Sequence, residues 1–143
     1  MRIVVDSNIV FSAILNSSGK IGQLIIGGSK YFQYFSINLL KEEIFNHKSK
    51  ILLVSGLKPA QLESIFITIT SRIKFIDEIL LSDEDIHKAQ NLTSGIDEND
   101  TLFVALANYL NGQLWTGDKK LITGLRKKTI RGLCQLMSCM IFF

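Results

Sequence analysis

Arg2-Ile3-Val4-Val5 is cut off by Asp6-Ser7-Asn8 and followed at once by Ile9, Val10, Ala13 and Ile14 at helical spacing. A strand this short and apolar has no polar face to show to water. A strand that feeds straight into a helix does not return as a hairpin, so the pair belongs to a parallel sheet covered on both faces. The pattern then repeats. Tyr31 to Ile37 is aromatic and β-prone and leads into a helix carrying Leu39, Leu40, Ile44 and Phe45 with Asn38 as its cap. Ile73 to Ile76 is a further short strand, and Leu114-Trp115-Thr116 another. Between them lie helices: Ile21 to Ile26, stopped by Gly27-Gly28; Lys58 to Thr70, with Pro59 in its first turn; one opened by Ser82-Asp83-Glu84-Asp85; and Asp97 to Asn111, with Asp100 at its third position. The expected fold is α/β, a three-layer α/β/α sandwich around a central, mostly parallel sheet with right-handed crossovers. The apolar tail, Leu133 to Phe143, reads as a last strand or a partner-facing segment.

At 143 residues, 47% of them hydrophobic, with 1 Pro and 10 Gly, the chain is expected to be a single domain, residues 1–143, with a core that requires no disulfide or structural metal. No apolar run approaches the 18 or so residues of a membrane helix, and the first residues do not read as a secretion signal. Cys134 and Cys139 are too sparse and wrongly spaced for a zinc or redox site and suit free thiols in a reducing cytoplasm. The net charge of +3 does not by itself identify a nucleic-acid binder. Its distribution is more telling: eight of 13 acids fall between Asp77 and Asp100, and Lys119, Lys120, Arg126, Lys127, Lys128 and Arg131 crowd together after Asp118. An acidic cluster beside a basic one suits a metal-dependent enzyme with a polyanionic substrate, as it also suits two solvated faces.

In open α/β sheets the ligand crevice lies outside the carboxyl ends of the strands. Asp6 ends the first strand, and Asp118 follows the Leu114 strand after one glycine. Asp100, early in its helix, and Glu43, on the helix after the second strand, reach the same end. Each has an ordinary explanation as a cap, a turn residue or a solvated helix residue, but their common location is harder to explain away. Carboxylates converging in a partly dry crevice repel one another unless protons or a cation intervene. Hard divalent ions fit: Mg²⁺ or Mn²⁺ takes one or two carboxylates plus waters and substrate phosphates. Zinc fits poorly, because His47 and His87 are the only histidines and belong to no ligand motif.

These stretches, Val4-Val5-Asp6-Ser7-Asn8, Leu40-Lys41-Glu42-Glu43-Ile44, Asp97-Glu98-Asn99-Asp100 with Phe103, Ala105 and Ala107, and Trp115-Thr116-Gly117-Asp118-Lys119, resemble the ordered motifs of the PIN-domain family. The resemblance runs through about residue 125 and leaves the tail unaligned. It implies a metal-dependent ribonuclease, often the toxin of a toxin–antitoxin pair of the VapC type. Carried over by position, Asp6, Glu43, Asp100 and Asp118 match the acidic quartet holding Mg²⁺ or Mn²⁺, and Asp97 an additional acid of some members. Asn8 and Thr116 match supporting polar residues. Glu42 rivals Glu43, which is preferred because it directly precedes the apolar Ile44. Lys119, Lys120, Arg126, Lys127 and Lys128 would hold the RNA backbone. An antitoxin protein and a second copy of the chain are the implied partners.

Two other classes compete. A non-catalytic RNA- or protein-binding module on the same fold would not need converging acids. A dehalogenase-like phosphatase would want an acid where Asn8 stands, a receiver domain would want adjacent acids near its start, and no phosphate-binding Gly-x-x-x-x-Gly-Lys-Ser/Thr loop occurs.

Overall fold

The computed structural model describes residues 1–95, 100–130 and 139–140, the last pair and 126–130 as backbone. Five strands, β1 (Arg2–Val5), β2 (Gln33–Ile37), β3 (Ile73–Ile76), β4 (Gln113–Trp115) and β5 (Cys139–Met140), form one sheet in the order β3-β2-β1-β4-β5. Every pairing is parallel. Eight helices connect them: α1 (Ser7–Leu15), α2 (Lys20–Gly28), α3 (Leu39–Asn46), α4 (Lys48–Ser55), α5 (Pro59–Thr70), α6 (Asp83–Thr93), α7 (Thr101–Leu110) and α8 (Lys119–Ile130). The chain steps from β1 to β2 to β3 in one direction, then crosses back over β1 to β4. Right-handed crossovers therefore put α1–α5 on one face and α6–α8 on the other, which is the α/β/α sandwich expected. Helices α1, α2 and α5 pack together, and α6 packs on both α7 and α8. The tail does contribute a strand, at residues 139–140 beside β4.

Burial explains the strands. Val4, Val5 and Leu114 are fully covered on both faces of the sheet, and the fully buried Ser36 of β2 is satisfied by donating to the Val5 carbonyl at 2.9 Å. Helix α7 is buried along most of its length, at Phe103, Val104, Ala105, Leu106 and Ala107, and touches β1, β2 and β4. It ends where expected, at Asn111 in the left-handed region with φ 50°. Helix α6 opens with a reciprocal pair of bonds between Ser82 and Asp85. Among the described residues no single helix is long and apolar enough to cross a membrane.

Three sequence expectations need correction. Helix α4 was not foreseen; only Ile51 of its eight residues is buried, so it has no apolar stripe to announce it. Gly27-Gly28 does not stop α2, which runs through both. Gly28 is inside the helix because the Tyr34 ring lies against it: a Cβ there would stand 2.5 Å from the Tyr34 hydroxyl oxygen. Helix α7 begins at Thr101, with Asp100 at the capping position rather than in its first turn. Asp97, expected to cap this helix, lies outside the described residues.

The first turn of α2 tests the packing directly. A Cβ on Gly22 would stand 2.3 Å from the backbone oxygen of Ser17, which cannot yield as a side chain would. Gly22→Ala is expected to destabilise the protein by about 2 kcal/mol. Gly27→Ala, with nothing within 4 Å of the added carbon, should stabilise it by roughly 0.5 kcal/mol. Urea unfolding midpoints that moved together for the two variants would refute this account.

Candidate functional site

Strand β1 occupies the point where the chain's direction of travel across the sheet reverses, so the crevice at the carboxyl ends of β1 and β4 is where this topology places ligands. The register pairs Val5 with Trp115, which leaves Asp6 and the Thr116–Asp118 segment side by side. The Asp6 backbone N–H continues the ladder to the Trp115 carbonyl at 3.3 Å.

Asp6 is 1% exposed. Its Oδ1 accepts the Ile9 backbone N–H at 2.9 Å and so caps α1. Its Oδ2, equally buried, accepts no hydrogen bond of good geometry. Burial raises the carboxyl from its ordinary 3.8 to about 6, and the negative charge of Asp118 adds to the rise. The Thr116 hydroxyl and the backbone N–H groups of Ile9 and Asn8 act in the opposite sense. A buried oxygen left without a donor, beside a second carboxylate, is costly for the protein alone and becomes favourable when a cation sits against it.

Asp118 is half-buried and repeats the arrangement. Its Oδ1 accepts the N–H groups of Lys120 at 2.9 Å and Leu121 at 3.2 Å, holding the start of α8. Its own N–H donates at 3.1 Å to the hydroxyl of the fully buried Thr116, within the segment that joins β4 to α8. Asp100 is 9% exposed, at the start of α7, and its side chain makes no capping bond to that helix. Three acids thus stand where helices α1, α7 and α8 begin, with the positive helix ends toward them.

The remaining expected residues are less gathered. Glu43 is half-buried in α3, where its carbonyl accepts the His47 backbone N–H; Glu42 beside it is exposed. Asn8 is exposed in the first turn of α1, and it is its backbone that supports Asp6. Lys119 and Lys120 are exposed at the start of α8. Arg126, Lys127 and Lys128 lie on the same helix, their side chains outside the described residues, as is Arg131. Among the described residues no three His, Cys, Asp or Glu side chains gather closely enough to hold one ion. The pair Asp6–Asp118 is what the structure brings together.

Two residues at this end of the sheet escaped the sequence reading. Ser36 fixes the Val5–Asp6 peptide through its bond to the Val5 carbonyl, and a lone hydroxyl inside Tyr34-Phe35-Ser36-Ile37 was its signal. Glu78, in the 3-10 turn Glu78–Leu80 that follows β3, accepts the Leu39 N–H and caps α3. The strand-end rule that singled out Asp6 and Asp118 applied to it as well.

For a divalent cation the fit is good: an all-oxygen donor set, one buried oxygen with no donor of its own, and a second carboxylate close enough to be felt. Mg²⁺ commonly needs no more than one or two protein carboxylates, with waters completing its shell.

Residues 4–138 match the PIN domain family. Among solved structures the chain is similar to the crystal structure of VapBC2 from Rickettsia felis bound to a DNA fragment from their promoter, at 19% identity, with 100% of both chains covered and a TM-score of 0.66. No curated protein matches it.

Proposed function

The chain belongs to the PIN domain family, and on that premise we propose that it is a metal-dependent endoribonuclease, the toxin of a type II toxin–antitoxin pair acting in the cytoplasm. The observation that carries this reading is the Asp6–Asp118 pair: a buried carboxyl with one oxygen lacking a donor, facing a second carboxylate across adjacent strand ends. The toxin–antitoxin part draws on the R. felis complex, in which a protein of the same fold is captured with its partner.

Asp6 and Asp118 would hold Mg²⁺ or Mn²⁺ through the oxygens that helix capping leaves over, with Asp100, Glu43 and Asp97 completing the acidic wall. The ion, when bound, supplies charge to offset that of a phosphodiester transition state and makes water a better nucleophile. Thr116 orients both strand ends, and the N–H groups of Ile9, Lys120 and Leu121 fix the two carboxyls so that they need not reorganise. Asn8 supports Asp6 from α1. Lys119, Lys120, Arg126, Lys127 and Lys128 would grip RNA phosphates, a contact blind to sequence that weakens with salt. An antitoxin protein would act by covering this wall, and a second copy of the chain is the other expected partner; a monomeric mass at micromolar concentration would remove the latter.

One observation favours a competing reading, a module that holds RNA or protein without cutting: no three ligating side chains converge among the described residues. Cleavage of single-stranded RNA by the purified protein with Mg²⁺ or Mn²⁺ separates the two. Chelator should abolish cleavage, and Asp118→Asn, whose amide oxygen still caps α8, should slow it at least about 10-fold. Cleavage indifferent to chelator, or equal in the variant, would sink the nuclease reading.

A further inference from the structure

Helix α6 and the first turn of α7 border a cleft of about 390 Å³ lined by Ile86, Gln90, Thr93, Thr101 and Leu102. That is within the size range of small-ligand sites. Its walls and floor differ in chemistry. Ile86 and Leu102 are half-buried aliphatic side chains. The floor is a pair of hydroxyls: Thr93, wholly buried, donates to the Ala89 carbonyl at 2.9 Å, and its oxygen stands 2.9 Å from that of Thr101. Either hydroxyl can supply the proton shared between the two oxygens. Gln90 is exposed at the rim, with an amide that can both donate and accept.

The surroundings of the cleft narrow down its occupant. Thr101 directly follows Asp100, one of the acids of the proposed site. Helix α8, whose exposed Lys119 and Lys120 open it, packs on α6. The cleft thus shares Thr101 with the start of α7, next to a carboxylate of the proposed cutting site, and shares α6 with the packing of a helix suited to phosphates. Two apolar walls with polar groups at floor and rim suit a flat heterocycle whose faces are apolar and whose edges carry donors and acceptors. A base paired in a helix cannot enter such a slot, whereas an unstacked base of a single strand can.

We infer that the α6–α7 cleft is a subsite for one unpaired base of the RNA, beside the phosphate to be cut, read at its edge by Gln90 and the Thr101 hydroxyl. This rests on the nuclease reading. It makes the cleft a source of sequence preference that the acids and lysines cannot provide.

The test has two arms. In the first, the full-length protein in chelator is titrated with AMP, GMP, CMP and UMP and with hexamers of A, C or U, while the methyl resonances of Ile86 and Leu102 are followed. One base is expected to shift them more than the others, and Gln90→Ala, an exposed position with little bearing on folding, should weaken that binding by about 3- to 10-fold. In the second, RNA with randomised sequence is cleaved with Mn²⁺ present. A preference at one position next to the cut should flatten in Gln90→Ala by a similar factor. Methyl shifts without any metal-dependent cleavage would remove the nuclease reading and keep a base site. Metal-dependent cleavage without methyl shifts, or with the same preference in Gln90→Ala, would overturn the subsite and leave the nuclease.

Discussion

Asp6→Asn is expected to reduce metal-dependent RNA cleavage at least about 100-fold while making the metal-free protein more stable at neutral pH. The first effect follows from the proposed role of Oδ2, since even the outer partners of a metal site cost 10- to 100-fold when removed. The second follows from the electrostatics. The Asp6 carboxyl is raised from 3.8 to about 6, chiefly by burial and further by Asp118. Between those two values the folded state holds a proton that the unfolded state has released. Stability therefore falls as pH rises through this window, and the full penalty, on the order of 3 kcal/mol, is present above pH 6. An amide carries no such charge and keeps the Oδ1 bond to Ile9, so the variant should lose the pH dependence and the penalty together. In the wild type, Mn²⁺ should raise the melting temperature strongly at pH 7.5 and little at pH 5, where protons compete for the same oxygen. Thermal melts in chelator at the two pH values check the first claim, and the same melts with Mn²⁺ check the second. A variant less stable than the wild type at pH 7.5 would mean that the carboxylate is satisfied in the fold after all.

Trp115→Ala is expected to cost about 4 kcal/mol, the range for removing a fully buried large aromatic, and to lower the melting temperature by roughly 12 °C. Trp115 is 1% exposed in β4 and packs against the Tyr34 ring at 6.2 Å, so its loss opens a cavity between two strands of the sheet. Its carbonyl also holds the Asp6 backbone N–H. The damage should reach the site, and the gain in stability on adding Mn²⁺ should shrink in the variant. Trp115→Phe, which keeps most of the volume, should cost less than half as much. Circular dichroism melts of the two variants with and without Mn²⁺ provide the check; equal losses for Phe and Ala would show that shape in this part of the core matters more than volume.

Much of this architecture could be read from the chain because all-parallel sheets leave a clear trace. Their strands are short apolar runs, and here β1 to β4 are each followed by a helix that opens on a polar residue or a polar cap. The strand-end rule then led to Asp6 and Asp118 without knowledge of which strands are neighbours. That knowledge is a property of the whole fold: nothing near Val5 says that Trp115 stands beside it. Helix α4 was missed for the opposite reason, since a helix with one buried residue carries no periodic signal. Gly28 misled because its purpose is contact with Tyr34, six positions further along the chain and on another element. The start of α7 was misplaced because Asp97 and Asp100 are both good cap residues, and local chemistry does not choose between them. For Asp6 and Asp118 the plain reading as helix caps holds, and it leaves room for the chemical role proposed for them. Each uses Oδ1 to cap a helix, and for Asp6 the other oxygen is left with no donor of good geometry.

The pairing of β1 with β4 has a consequence during synthesis. Asp118 leaves the ribosome more than a hundred residues after Asp6, which at typical elongation rates of about 5 to 20 residues per second is an interval of roughly 6 to 22 s. Throughout it, the strand that carries Asp6 lacks its β4 neighbour, and the two carboxyls cannot meet. On the proposed function, a chain released before β4 is made is inert toward RNA, because its acid pair has not been assembled.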